Sequence, residues 1–267
     1  MAGKPQLGAP TEYPDRYAPE LLVAIPRAEG RAALGGVAFH GVDIWTAYEL
    51  SWLDPRGKPQ VAIGEFTVPC ESPNIVESKS FKLYLNSFNQ ERIASSETLA
   101  ATLGKDLGAA FGATLDIALH SLDGYAARGI GVFDGICLDG LDIDCADFEP
   151  QVACLATGEG QVAETLYSHL LKTNCPVTGQ PDWASVRIRY RGAPIDRGGL
   201  LRYLVSFRQH QDFHEHCVER IYSDILHHCA PEALEVYARY TRRGGLDINP
   251  FRASAPGRPD WTRLARQ

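Results

Sequence analysis

The strongest constraint on the fold is an order of strand and helix patterns that occurs twice along the chain. The first run begins with two alternating stretches, DIWTAYELSWL (Asp43–Leu53) and QVAIGEFTVP (Gln60–Pro69), which are separated by PRGK and predict a β-hairpin. Helical patterns follow in SKSFKLYLNSFNQERIA (Ser78–Ala94) and in SSETLAATLGKDLGAAFG, which ends at Gly112. TLDIALHSLDGY (Thr114–Tyr125) then predicts a further strand.

The second half repeats this order after a Gly/Asp-rich connector that ends near Pro150. Strands are predicted by YSHLLKTN (Tyr167–Asn174) and SVRIRYRG (Ser185–Gly192), helices by GGLLRYLVSFRQHQD and HEHCVERIYSDILHHC, and a last strand by ALEVYARYTRR (Ala233–Arg243). A repeated order without obvious sequence identity indicates an internal duplication. We therefore predict an α+β fold, with paired helices on one face of antiparallel sheets, in an N-terminal module (1–150) and a C-terminal module (151–267).

Composition limits the classes of function. A formal charge of −7 and a pI near 5.6 provide no basic field for a polyanion, so we do not expect direct nucleic-acid binding. The sequence contains no signal-peptide pattern and no apolar stretch of membrane-spanning length, and it has an odd number of cysteines, seven. We expect a soluble cytoplasmic protein whose cysteines are mostly reduced thiols.

Two sequence patterns are only weak indications of a binding site, one for a metal ion and one for a dinucleotide. His and Cys residues crowd into the stretch from His214 to Cys229, but no CxxC pair accompanies them, and residues on one short helix point in several directions. GEGQVA (158–163) matches the glycine fingerprint of dinucleotide-binding folds, but no βαβ unit surrounds it. We expect neither a metal site nor a Rossmann site from these patterns.

The stretch TNCPVTGQPDW places Cys175 seven positions before Asp182 in a turn made rigid by two prolines and a glycine. A carboxylate raises the pKa of a neighbouring thiol, so this pair suits a nucleophile with a proton donor. The alternative for the cysteine alone is a small, buried and inert thiol.

Polar residues also open two of the predicted helices, where free backbone N–H groups provide a site for acceptors. Glu77, Ser78 and Lys79 begin one helix, and His214 and Glu215 begin another. For Ser78, helix capping is the alternative explanation.

Together, ESKSFKLY, NCPVTGQPDW, FHEHCVERI and RRGGLDINP closely resemble the NADPH-dependent 7-cyano-7-deazaguanine reductase family of queuosine biosynthesis, in its long two-module form. The resemblance extends from about Asp43 to Arg252. It implies tandem tunnelling-fold modules of ββααββ order and a cytoplasmic tRNA-modification enzyme that is at least a homodimer. It also implies 7-cyano-7-deazaguanine as substrate, two NADPH per turnover and no metal.

The resemblance further implies a role for each matching residue. Cys175 would attack the nitrile carbon to form a thioimide, Asp182 would protonate the nitrogen, and His214 would assist proton movement or order the substrate. The implied substrate-binding residues are Val76, Glu77, Ser78, His214 and Glu215. The implied NADPH-binding residues are Ser78, Lys79, Arg243 and Gly244.

Two other classes of function remain open. A zinc-dependent tunnelling-fold enzyme related to GTP cyclohydrolase would need the His/Cys cluster around Cys217 to converge on a metal. A non-enzymatic pterin- or purine-binding module would not need a reactive Cys175.

Cys217 lies three residues beyond His214 on the predicted helix and so shares a face with it. Either Cys217 approaches Cys175 and forms a reversible disulfide with it, or it packs in the helix interface.

Overall fold

The computed structural model describes residues 13–267. In chain order, its strands are β1 (Ala24–Pro26), β2 (His40–Leu53), β3 (Pro59–Pro69), β4 (Asn74–Val76), β5 (Asp116–His120), β6 (Ile136–Cys137), β7 (Val162–Asn174), β8 (Pro181–Gly192), β9 (Ala233–Tyr240) and β10 (Leu246–Ala253). Its α-helices are α1 (Arg27–Arg31), α2 (Ser78–Asn86), α3 (Ser96–Phe111), α4 (Leu122–Ala126), α5 (Arg197–Ser206) and α6 (His214–Cys229).

Eight of these strands form one sheet in the order β5-β3-β2-β10-β9-β8-β7-β6, while β1 and β4 form a separate pair. Neighbouring strands are antiparallel except for β6 and β7, which are parallel. The prediction of an α+β fold with antiparallel sheets is confirmed. The sheet also runs across the boundary predicted at residue 150, because β2 pairs with β10.

The four longer helices lie on one face of this sheet. Alternating residues of β2 and β3 pack with α2 and α3 in one apolar core, and those of β7, β8 and β9 pack with α5 and α6 in a second. A smaller cluster on the opposite face includes Phe133 from the connector and Leu264 from the C-terminal tail.

The two halves of the sheet join at the β2–β10 seam, which pairs eight residues from Leu246↔Ala47 to Ala253↔His40. Buried ion pairs reinforce this seam: Arg252 lies 2.8 Å from Asp43 and 2.7 Å from Glu219 of α6. Removing one partner from such a network typically costs about 3–5 kcal/mol, because the other charge stays buried. The seam is therefore a major contributor to the arrangement of the halves.

Strand β10 is absent from the sequence-based prediction, which treated RRGGLDINP only as a motif. Pro250 argues against a central strand because it cannot donate a ladder hydrogen bond. In the structure the β9–β10 ladder covers only Phe251–Ala253, and Asn249 replaces the missing ladder bonds. Its Oδ1 accepts from Tyr240 N (3.0 Å) and its Nδ2 donates to Ile44 O (3.2 Å), so one side chain bridges both neighbouring strands.

Several predicted boundaries are also wrong. The first long helix ends at Asn86 rather than Ala94, since the chain turns there through i→i+3 bonds. The strand predicted over Thr114–Tyr125 ends at His120, where the Ser121 side chain caps the short helix α4. Strand β8 begins at Pro181, so Asp182 lies on a strand and not in the turn that holds Cys175.

Candidate active site

A cavity opens where the N-termini of α2 and α6 meet the β7–β8 turn. It contains residues from both halves of one chain. The side chains and backbone that line it are those of Val76, Glu77, Ser78, Cys175, Pro176, Val177, Asp182, Asp212, Phe213, His214, Glu215, Thr241, Arg243, Leu246 and Ile248. The predicted catalytic and substrate-binding residues are thus brought together, at the seam between β2 and β10.

Cys175 lies at the base of the turn that joins β7 and β8. Its N–H donates to Gln180 O and its carbonyl accepts from Gly179 N, both at 2.9 Å, and Gly179 has the left-handed φ of +67° that this turn requires. Burial acts to raise the pKa of the Cys175 thiol. Hydrogen bonds from Thr178, from the Val177 N–H and from Arg243 outweigh that effect and lower the pKa below its ordinary value. The half-buried thiol is therefore suited to act as a nucleophile.

Asp182 stands beside this thiol on β8, only 3% exposed and opposite Thr173 in the strand register. Its Oδ1 lies 2.8 Å from Arg243 Nε and 3.4 Å from His214 Nε2. One carboxyl oxygen is therefore shared by a guanidinium and an imidazole. Arg243 extends the contacts by donating from Nη1 to Gln180 Oε1 (2.7 Å), which anchors it to the Cys175 turn.

His214 is held by two contacts that fix the plane of its ring. Its Nδ1 lies 3.2 Å from the carbonyl oxygen of Ile248, and its ring stacks on Tyr240 at 3.7 Å with an interplanar angle of 5°. Because a carbonyl oxygen only accepts, Nδ1 donates to it and Nε2 faces Asp182. The ring is therefore held with Nε2 directed at the carboxyl group of Asp182, 3.4 Å from its Oδ1. No sequence pattern indicates the contribution of Tyr240, since the stacking joins residues that are distant in the chain.

Glu215 is buried next to His214, with only 2% of its surface exposed. Within residues 13–267 its Oε1 has no hydrogen-bond partner. Burial, followed by the nearby carboxylate of Asp43, raises the pKa of Glu215 above its ordinary value, although Arg27 and His214 act in the opposite direction. An unpaired carboxylate in a cavity wall is costly for the folded protein and is available to bind donors of a ligand.

Glu77 and Ser78 differ from their predicted local roles. The helix cap is Glu77, whose carboxylate accepts from Lys79 N (2.8 Å) and Ser80 N (2.7 Å), and Ser78 is the first helical residue. The capping alternative considered for Ser78 therefore applies to its neighbour. Each carboxylate oxygen of Glu77 therefore accepts from a backbone N–H, whereas Glu215 Oε1 has no hydrogen-bond partner within residues 13–267.

A second cleft adjoins the first, with Leu246 in the wall of both. Its lining includes Lys79 and Gly244, for which the family resemblance implies cofactor binding, whereas Ser78 and Arg243 line the first cavity. Gly244 has a φ of +55°, a backbone conformation that favours glycine. Lys82, three residues beyond Lys79, also lines the cleft and was missed, although its helical spacing places it on the same face.

The electrostatics of this cleft favour an anion. Lys79 and Lys82 supply two ammonium groups opposite a single carboxylate, that of Glu49. Burial and then the charge of Arg243 lower the pKa of Lys82. A second negative charge in the cleft would relieve the repulsion between Lys82 and Arg243, which is the electrostatic setting that a phosphate group needs.

The His/Cys cluster of α6 spreads over several directions. Cys217 is fully buried among the strands, where burial raises the pKa of its thiol well above the ordinary value. His216 Nδ1 lies 3.1 Å from Asp212 Oδ1, and His214 faces the cavity. The seven cysteines are free thiols.

Among residues 13–267, no helix is both long and apolar enough to span a bilayer.

Comparison with known proteins places this site in a family. Residues 13–119 match the family model described as the N-terminal part of nitrile reductase, 7-cyano-7-deazaguanine reductase, and residues 181–257 match the model described as QueF-like protein. A crystal structure of archaeosine synthase QueF-Like in the apo form is 17% identical, with a TM-score of 0.32 over 38% of this chain and 99% of its own; this likeness is too remote to bear on the fold.

Full-length relatives are much more similar. Proteins named NADPH-dependent 7-cyano-7-deazaguanine reductase are 59% identical in Dechloromonas aromatica (98% of this chain, 94% of that one), 56% in Bordetella avium (98% and 97%) and 54% in Delftia acidovorans (98% of each). The matches cover both halves of the sheet and every element that lines the cavity. The chain belongs to the NADPH-dependent 7-cyano-7-deazaguanine reductase family.

Proposed function

We propose that this protein reduces the nitrile of 7-cyano-7-deazaguanine to the aminomethyl group of 7-aminomethyl-7-deazaguanine with NADPH, as a cytoplasmic step of tRNA queuosine biosynthesis. One observation carries the proposal: a thiol of lowered pKa, Cys175, shares a cavity with the Asp182–His214 pair and with the unpaired carboxylate of Glu215. This combination supports covalent chemistry on a substrate that presents several N–H donors.

The covalent step uses Cys175 and Asp182. The thiolate of Cys175 attacks the nitrile carbon, and the carbon–nitrogen triple bond becomes a double bond as the nitrogen gains a proton. Asp182 delivers this proton, and His214 Nε2, 3.4 Å from Asp182 Oδ1, returns a proton to the carboxyl group. The product is a thioimide, which accepts hydride more readily than a nitrile does.

Substrate recognition rests chiefly on Glu215. When ionised, its carboxylate only accepts hydrogen bonds, and the ring N–H and amino groups of a deazaguanine are donors. Glu77 has both oxygens engaged by the α2 backbone, so we assign it a secondary acceptor role beside the substrate. The backbone of Val76 and Ser78 completes the pocket wall.

The adjoining cleft suits NADPH. Ser78, Lys79, Arg243 and Gly244 would hold the cofactor, with Lys82 as an additional cation for a phosphate. When bound, NADPH supplies a hydride, and two molecules are needed because a nitrile takes up four electrons on its way to an amine. Arg243 links the two processes, since it contacts the Cys175 turn and Asp182, and its chain neighbour Gly244 lines this cleft.

We also propose tandem tunnelling-fold modules, residues 1–150 and 151–267, joined through β2 and β10. Support comes from the shared order of a hairpin followed by a helix pair in each half.

We further propose a homodimer. Exposed apolar side chains of the connector, Ile130 (67%) and Val132 (84%), support a contact with a second copy, and sedimentation of the full chain would test it.

Incubation with 7-cyano-7-deazaguanine and NADPH tests the function directly, by the loss of nicotinamide absorbance. Without NADPH, intact-mass spectra should show the substrate mass on the wild-type protein and none on Cys175→Ala. Cys154→Ala, a thiol outside the cavity, is the matched control and should react normally. Absence of both turnover and adduct in folded wild-type protein would refute the proposal.

A further inference from the structure

A group of three metal-binding side chains lies at the edge of the sheet where β6 and β7 run in parallel. The ligand atoms of Cys137, Asp139 and His169 all lie within 4.8 Å of one another. None of the three lines the candidate active site or the cofactor cleft. We propose that this cluster binds a Zn²⁺ ion that fastens the connector to the sheet.

The strand register brings the three residues together. Cys137 pairs with Tyr167 in the β6–β7 ladder, and Leu138 N donates to Tyr167 O at 2.9 Å. Asp139 lies in the turn that follows β6, and His169 lies two residues beyond Tyr167, at an irregularity of the β7–β8 ladder. Two segments that are about 30 residues apart in sequence therefore direct three ligands into one space.

Neighbouring groups orient two of the ligands. Asp139 Oδ1 accepts from Ser168 Oγ at 2.7 Å, and the two carboxylate oxygens lie 3.2 and 3.1 Å from His169 N. His169 Nδ1 lies 2.7 Å from the hydroxyl of Ser185, a buried residue, which leaves Nε2 for an ion. Metal-binding histidines and carboxylates are typically oriented by such outer contacts.

The donor set selects the kind of ion. A thiolate, an imidazole and a carboxylate together suit Zn²⁺, whereas Mg²⁺ and Ca²⁺ prefer oxygen ligands alone. Thiolate and carboxylate charges would balance the two charges of the ion. Ligand atoms around tetrahedral zinc lie roughly 3–4 Å apart, given Zn–ligand lengths of about 2.0–2.3 Å. The 4.8 Å limit on the present spacing exceeds this range, so the ligands must move closer to bind the ion, and Cys137 is exposed.

The position indicates a structural ion. Strand β6 has only two residues and is the last strand of the sheet, so few backbone hydrogen bonds hold the connector there. This proposal departs from the expectation, stated from the sequence, that the protein binds no metal. Zinc binding should therefore raise the stability of the protein and leave the chemistry of the reductase unchanged.

Equilibrium dialysis of tag-free, chelator-treated full-length protein against Zn²⁺, followed by elemental analysis, tests the site. Wild type, Cys145→Ser and Cys175→Ala should retain a single ion per chain, and Cys137→Ser should lose it. Cys145 is an exposed thiol of the same connector, and Cys175 is the thiol of the active site, so these variants separate the site from those two thiols. With Co²⁺, only the proteins that bind should show a thiolate-to-cobalt absorption band.

Melting curves provide the second readout, because an ion that binds only the folded state raises the melting temperature. Zn²⁺ should raise it for wild type and Cys145→Ser but not for Cys137→Ser or Asp139→Asn. The idea is overturned if wild type retains no ion, if Cys137→Ser binds as well as wild type, or if Cys175→Ala alone loses the ion. Each outcome is independent of whether the protein reduces nitriles.

Discussion

We expect the carboxylate of Glu215 to lower the stability of the folded protein. The carboxyl group is 2% exposed, its Oε1 lacks a hydrogen-bond partner in the part of the chain that the structure describes, and burial with the nearby Asp43 raises its pKa. Replacing it with glutamine keeps the shape and removes the charge. We expect Glu215→Gln to be more stable than wild type at neutral and alkaline pH.

The sign of the pH dependence follows from proton binding. The unfolded chain releases the Glu215 proton near 4.5, whereas the folded chain retains it to higher pH. The free energy of unfolding of the wild type therefore decreases as the pH rises from 4.5 through the raised pKa of Glu215. The decrease due to this group is about 1.4 kcal/mol for each unit by which its pKa is shifted. Glutamine has no such loss, so its advantage should grow over that range and then level off.

The expected gain in the free energy of unfolding is about 1–3 kcal/mol, which is the typical cost of a buried polar group without a partner. For a chain of this length each kcal/mol corresponds to a melting-temperature shift of about 2–4 °C, so Glu215→Gln should melt roughly 2–12 °C higher at pH 8. Thermal melts monitored by circular dichroism from pH 5.5 to 8.5 would measure this. The exposed Glu159→Gln is the control and should match wild type throughout.

Binding should change in the opposite direction, because glutamine cannot replace an acceptor-only carboxylate for the donors of the substrate. Titration calorimetry with 7-cyano-7-deazaguanine should show weaker binding to Glu215→Gln. A variant that melts at or below the wild-type temperature at pH 8, or that differs by the same amount at every pH, would refute the argument from charge burial.

Three further results are expected. Arg243→Ala should raise the pKa of Cys175, so the pH profile of iodoacetamide labelling should shift to higher pH; an unchanged profile would contradict the role of the guanidinium. Asp182→Asn should keep the fold and substrate binding but lower turnover by about 100-fold or more, and normal turnover would leave Asp182 a structural role. Mild oxidation should inactivate wild type reversibly through a Cys175–Cys217 disulfide, whereas Cys217→Ala should be inactivated irreversibly; peptide maps without the crosslink would remove this idea.

Local sequence patterns predicted much of this architecture. The bounds of α6 match the predicted helix, and both hairpins lie where alternating residues indicated them. These features depend on neighbours in sequence, as does the placement of Cys175 in a tight turn. The assignment of the family rested on four motifs that now line one cavity or its adjoining cleft.

Features that depend on distant residues were not predictable in this way. Strand β10 was missed because Pro250 opposes a central strand unless a side chain such as Asn249 supplies the missing bonds. The stacking of Tyr240 on His214 and the influence of Asp43 on Glu215 arise only when separate elements pack together. Capping by Glu77 was a local feature, but the acidic residue that opens the ESKS motif suits both a helix cap and a ligand-binding residue.

The seam between β2 and β10 also sets the order of events when the chain is made. Ala47 pairs with Leu246, roughly 200 residues later, so at about 5–20 residues per second a ribosome needs about 10–40 s to supply the partner. Until then one edge of β2 remains open to other chains, and the cavity lacks Arg243, Leu246 and Ile248. A nascent chain released before residue 246 should therefore be prone to aggregate, and Cys175 would lack its guanidinium neighbour until the last strand docks.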